Sequence, residues 1–187
     1  LLPGTILRGK TAIGENCLIG PQAMLTDCIV EEGCTINASQ CEESTIRRDC
    51  EIGPYTHIRP RCVVGEGSRI GAFVQLKNCT LGKDTRMAHL TYVGDSDVGD
   101  GCNFGCGTIT CNYDGFKKYR TTIGKGVFVG CNTNLVAPVT VEDGAFIAAG
   151  TTVAERVPQD AMAIGRVRQE NKEHWAAENR KKKGKKG

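Results

Sequence analysis

His89 and Tyr92 stand three residues apart in "RMAHLTYVGD" (86–95), inside a chain that otherwise keeps a regular apolar beat. An imidazole changes protonation near neutral pH and is the commonest general base, which makes His89 a candidate proton acceptor beside the Tyr92 hydroxyl. A lone histidine serves equally well as a structural hydrogen-bonding group, so its surroundings must decide. Arg59 and Lys77 form a second constellation, 18 residues apart, each directly after an apolar beat residue. If the chain closes one coil in that interval, the two cations stack on one corner, roughly 4.8 Å apart. Like charges held so close are relieved by an anion, and a phosphate suits them; the alternative is two solvated surface charges. Asn103, Asn112, Tyr113, Lys118 and Arg166 follow as polar candidates, each equally able to be ordinary surface.

The beat itself predicts the scaffold. Apolar residues recur every six positions at Ile13, Ile19 and Leu25, at Ile46, Ile52, Ile58, Val64, Ile70 and Leu76, and at Leu81, Met87 and Val93. The beat also takes in Val98 and Phe104, then resumes at Ile123, Val129, Leu135, Val141, Ile147 and Val153, often with glycine next. A period of six is neither helical nor a simple strand alternation, and it is the signature of a hexapeptide-repeat solenoid, a parallel β-helix. Each hexad is one short strand and turn, and three hexads close a coil. The expected fold is therefore all-β, occupying residues 1–155. Residues 37–45 interrupt the beat once, and 105–122, "GCGTITCNYDGFKKYRTT", interrupt it more heavily as a protruding loop. Loops thrown out of a rigid solenoid are where function concentrates. After Val153 the beat stops, and 156–179 read as a cap followed by a short helix from about Gln169 to Asn179.

With 187 residues, 40% of them hydrophobic, the chain supports one main domain. Glycine is abundant (24), and proline (6) and aromatics (5%) are sparse, which suits short strands and tight turns. The chain opens at Leu1 and reads as a piece of something longer. No run of 18 apolar residues or basic-apolar leader is present, so the expectation is a soluble cytoplasmic protein without stable membrane association. The cysteine count is odd, at 11, and no Cys-x-x-Cys occurs, which argues against a disulfide framework or zinc finger. Cys17, Cys34, Cys50, Cys62 and Cys102 fall four residues after a beat residue, in slots for small interior fillers. His57, His89 and His174 are the only histidines, and His174 lies in the terminal segment, so a three-histidine zinc site is not expected and no metal is assigned. The formal charge of +3 includes six positive charges from Arg180, Lys181, Lys182, Lys183, Lys185 and Lys186, which leaves 1–179 at −3. Residues 180–187 read as a solvated, disordered basic tail, and no nucleic-acid partner is expected.

"AHLTYVGD" (88–95), "GTITCNYDG" (107–115), "VGCNTNLVAPVT" (129–140) and "AAGTTV" (148–153) resemble the C-terminal half of a bacterial bifunctional enzyme family. Its members are glucosamine-1-phosphate N-acetyltransferases and N-acetylglucosamine-1-phosphate uridylyltransferases. The resemblance is detailed from Arg59 to Trp175 and general to hexapeptide proteins before that. It implies a left-handed β-helix and a homotrimer with active sites between neighbouring chains. It also implies acetyl transfer from acetyl-CoA, without a metal, to the amine of glucosamine 1-phosphate, a step toward UDP-N-acetylglucosamine and the cell envelope. By the same resemblance His89 is the base, Arg59, Lys77 and Tyr92 contact the sugar phosphate, Asn103 holds the sugar, and Lys118 reaches a site shared with a neighbour. Acetyl-CoA contacts fall on Cys106, Asn112, Tyr113, Cys131, Ala149 and Arg166. The sequence departs from the family at Gln75, where an acidic residue is expected, at Cys131 for a serine and at Cys106 for an alanine. The family's N-terminal uridylyltransferase half has no counterpart in this chain, so no UTP-dependent activity is expected of it. The alternatives are a hexapeptide acyltransferase with another acceptor and a non-catalytic trimeric module.

Overall fold

Two successive coils show how the hexads fold. Strand Arg69–Ala72 leads through a corner into Gln75–Leu81, then come Arg86–His89 and Tyr92–Val98. In each, the beat residue (Ile70, Leu76, Met87, Val93) points inward and is fully buried, while its neighbours, apart from buried Gly94, are partly or fully exposed. Repetition of this unit builds a three-sided parallel β-solenoid in a computed structural model that describes residues 1–184. One face is a sheet of nine strands, and the other two merge into a sheet of 15 because Gln75–Leu81 and Tyr92–Val98 bend around a corner and serve both. Every pairing between named strands among the described residues is parallel, as with His57 opposite Gln75 and Gln75 opposite Tyr92. The core is one continuous column of side chains including Ile19, Leu25, Ile36, Ile46, Ile58, Leu135 and Ile147, each fully buried. Burial at about 1.5–3 kcal/mol per large aliphatic side chain makes this column the main stabilising term. Cys34, Cys50, Cys62 and Cys102 are buried as interior fillers, as expected, and Cys17 is half-buried.

Three boundaries differ from expectation. Residues 37–45 do not break the solenoid: strand Gln40–Glu42 pairs with Met24–Thr26 below and His57–Ile58 above, and buried Cys41 takes the beat position. That coil is 16 residues long, Met24 to Gln40, and its shortness with a cysteine for an aliphatic hides the hexad. The beat also does not end at Val153, because Val157 bridges Val141 and Met162–Ala163 pairs with Phe146–Ile147 to close a last coil. The terminal helix is Trp175–Gly184, starting later than expected, so 180–184 are helical and only 185–187 of the anticipated disordered tail fall outside the described residues. Among the described residues no helix is long and apolar enough to cross a membrane.

Candidate functional site

The outward positions of one face carry the site. Residues 57–59, 75–77 and 92–94 are stacked strand on strand, and His57–Gln75 and Ile58–Leu76 are in register, which puts Arg59 opposite Lys77 as the spacing required. The Arg59 amide donates to the Leu76 carbonyl at 2.8 Å, fixing this part of the ladder. Lys118 arrives from the protruding loop and lies against Lys77 of the same chain. Its amine, then loss of hydration, then the charge on Arg59 hold the Lys77 pKa below the usual lysine range. Three cations from three chain segments thus meet at one corner.

Above Lys77 the register places Gly94. A side chain there would clash with the Tyr92 hydroxyl and meet Asn112 Nδ2 at 3.0 Å, so the missing Cβ lets the tyrosine lie across the strand toward Asn112. The adjoining corner holds Asp95, 6% exposed, whose two carboxylate oxygens accept from the side-chain amides of Asn78 and Asn112. Burial pushes this carboxyl up, but the two amides and the charges of Lys118 and Lys77 outweigh it and hold Asp95 below its ordinary value. Asn112 also lies 3.5 Å from the Tyr92 hydroxyl.

The loop has its own internal order. Asp114 accepts from the amides of Phe116 and Lys117 at 2.8 Å each, and Tyr113 is bridged to Lys118 as a tight hairpin. The Tyr113 hydroxyl donates to the Gly115 carbonyl at 2.6 Å, within the same turn. Arg120 then returns the chain to the solenoid by pairing with Asp97, Nε to Oδ2 at 2.8 Å, and by reaching the Asn78 carbonyl at 3.4 Å.

His89 stands at the far end of the neighbouring face, opposite Ala72, exposed, with Leu90 as the corner residue between it and Tyr92. Carrying the ladder forward from Met87–Phe104, Phe104–Val129 and Val129–Ile147 sets His89, Cys106, Cys131 and Ala149 in one column. All four are exposed, and Arg166 Nε donates to the Ala149 carbonyl at 2.9 Å, which puts a guanidinium at the end of the column. Asn103 lies on the His89 face between Arg86 and Phe128, apart from the strands that carry the cation cluster. The structure therefore brings together Arg59, Lys77, Lys118, Tyr92 and Asn112, and separately aligns His89 with Cys106, Cys131, Ala149 and Arg166.

Asp95, Asn78 and the Arg120–Asp97 pair were not singled out in the sequence. Asp95 is the last residue of "YVGD", but an aspartate at a coil corner with φ of 48° is ordinary, since Asp and Asn tolerate the left-handed region. Its importance comes from the loop folded over it. His57 lies 3.5 Å from Glu42 and His174 precedes the helix, so neither histidine joins His89. Among the described residues no three of His, Cys, Asp and Glu converge as metal ligands.

Residues 43–78 and 120–155 match the family described as bacterial transferase hexapeptide (six repeats), and 10–38 match the hexapeptide repeat of succinyl-transferase, together more than half of the chain. This chain belongs to the hexapeptide-repeat transferases. Among relatives of this hexapeptide chain, the bifunctional protein GlmU of Brevibacillus brevis is 51% identical over 174 residues, 93% of this chain and 38% of the relative. The bifunctional protein GlmU of Clostridium novyi is 47% identical over 181 residues, 97% of this chain and 40% of the relative. The chain thus spans about two fifths of the length of these relatives. Among solved structures, the UDP-N-acetylglucosamine acyltransferase from Campylobacter jejuni has a TM-score of 0.60 at 16% identity, covering 88% of this chain and 71% of that one. The enzyme of that name from Bacteroides fragilis gives 0.57 at 18%, covering 89% and 71%. At these identities the solved structures establish the shared hexapeptide fold alone.

Proposed function

We propose that this chain transfers the acetyl group of acetyl-CoA to the amine of glucosamine 1-phosphate, as a cytoplasmic homotrimer. The observation that carries this reading is the convergence of Arg59, Lys77 and Lys118 on one corner, a trio that repels itself until a phosphate is bound. The motifs around His89 and the relatives that span nearly the whole chain support it. Acetyl-CoA supplies the acyl group in an activated thioester. The small exposed residues Cys106, Cys131 and Ala149, ending at Arg166, suit an extended chain with an anionic end, with Asn112 and Tyr113 contacting it from the loop.

The chain's own residues have four tasks. Arg59, Lys77 and Lys118 hold the phosphate. Tyr92 and Asn103 orient the sugar. Asp95 keeps Asn112 and the loop in place. His89 accepts a proton from the sugar's ammonium, which by analogy with α-amino groups has a pKa of about 8 and is largely protonated at neutral pH. A base so placed contributes about 10²–10⁴-fold. A backbone N–H at a coil corner is the expected donor to the developing oxyanion.

The test is thiol release from acetyl-CoA, with and without glucosamine 1-phosphate, on the wild-type chain and on His89→Ala. Release should require the sugar phosphate and fall by about two orders of magnitude or more in the variant. A wild-type chain that releases no thiol would move the non-catalytic reading to the front, and UTP-dependent turnover would contradict the assignment to the acetyl-transfer part.

A further inference from the structure

Of the 11 cysteines, only Cys106 and Cys131 are exposed. They also stand side by side on successive coils. The pairings Asn103–Phe128 and Phe104–Val129 continue through the Gly105 amide on the Val129 carbonyl at 2.7 Å and the Asn132 amide on the Cys106 carbonyl at 2.8 Å, so Cys106 stands directly opposite Cys131 on the next coil. Neighbouring strands hold opposite Cα atoms about 4.8 Å apart, inside the roughly 4.4–6.8 Å span of disulfides. Cys106 is flanked by Gly105 and Gly107 and Cys131 by Gly130, so both backbones can adjust. By contrast, the Cys62 and Cys79 sulfurs are 3.7 Å apart but buried, where no oxidant reaches.

We propose that Cys106 and Cys131 form a redox-active dithiol that low-molecular-weight disulfides convert reversibly into an intrachain disulfide. One thiolate attacks a sulfur of the small disulfide, forming a mixed disulfide and expelling one small thiol. The second thiolate attacks the protein-bound sulfur, closing the Cys106–Cys131 bond and expelling the other thiol. Two protein thiols are oxidised and one small disulfide is reduced to two thiols. The regulatory consequence rests on the proposed function: the bond would cross the column between His89 and Ala149, where the thioester and its carrier are placed.

The reduced chain is incubated with oxidised glutathione, free thiols are blocked, and the digest is mapped by mass spectrometry. The expected result is one cross-linked peptide pair containing Cys106 and Cys131, undone by dithiothreitol, while Cys131→Ser retains a glutathione adduct on Cys106. Separate stable adducts on both cysteines, or no modification of either, would overturn the proposal. Acetyl transfer by the same sample before and after oxidation gives the second readout, and a loss restored by dithiothreitol is expected. A cross-link with undiminished transfer keeps the dithiol and removes the coenzyme from that column. A reduced chain that transfers no acetyl group overturns the proposed function and leaves the mapping result intact.

Discussion

Lys77 gives up its proton more readily than an ordinary lysine because Lys118, its lost hydration and Arg59 all disfavour the cation. A bound phosphate reverses that balance and draws Lys77 back to the charged form. Binding must then take up a proton wherever the pH lies between the depressed value of the free protein and the restored value of the complex. The window ends near the ordinary lysine value of about 10.4, well above the second phosphate ionisation at about 6, so the charge of the phosphate is constant across it, and the sugar's amine, at about 8, titrates alike with wild type and variant. Affinity for glucosamine 1-phosphate should fall as pH rises on the alkaline side, and titration calorimetry in buffers of different ionisation enthalpy should show proton uptake. In Lys77→Met the uptake should lose the share due to this lysine, leaving only what the sugar's amine contributes, and KM should rise more than kcat falls. A pH dependence unchanged by the substitution would remove Lys77 from the phosphate site.

The loop Asn112–Arg120 is held to the solenoid by two kinds of contact, and their magnitudes differ. The Arg120–Asp97 pair is about half exposed on both sides, and such pairs contribute about 0–1 kcal/mol. Asp95 is buried and receives both amides, and leaving a buried polar group unpaired costs about 1–3 kcal/mol. Asp95→Asn should therefore outweigh Arg120→Ala. It keeps the shape but turns an NH₂ toward one of the two amide donors, freeing the loop to proteolysis and lowering Tm. The sign of the pH effect follows from the depressed carboxyl. Its stabilisation is complete above the ordinary value of about 3.9 and is lost as pH falls through the folded-state value. The variant should thus approach the wild type in stability in strong acid and differ most near neutrality; equal Tm values at neutral pH would count against this role. The contacts of Asp95 were not readable beforehand. Arg59 and Lys77 declared themselves through their place in a periodic ladder, whereas Lys118 and Asn112 sit in a segment without period, and only its folded path shows what they touch.

The solenoid was legible because each coil repeats one packing problem, a large aliphatic inward every six residues, and the exceptions are coils that solve it differently. Cys41 fills the beat slot of a 16-residue coil, and Ala163 does so in the last one. The helix limits were missed because half of Trp175–Gly184 is charged and it offers no apolar stripe to read. The solenoid also leaves its site open: His89, the Cys106–Ala149 column and Lys118 are all exposed in a single chain, as expected if neighbouring copies complete the pocket. Which copy receives Lys118 can be tested. The resemblance implies a shared site, whereas the structure lays Lys118 on Lys77 of its own chain. Mixing Lys77→Met and Lys118→Ala subunits after joint refolding separates the two. If Lys118 serves its own chain's Lys77, every site in the mixture lacks one of the two cations, and activity stays at the sum of the separate variants. If Lys118 serves a neighbour's Lys77, some mixed interfaces unite an intact Lys77 with an intact Lys118, and activity returns above that sum. Sedimentation of the mixture at three times the 20.1 kDa chain mass is the condition on which either outcome is read.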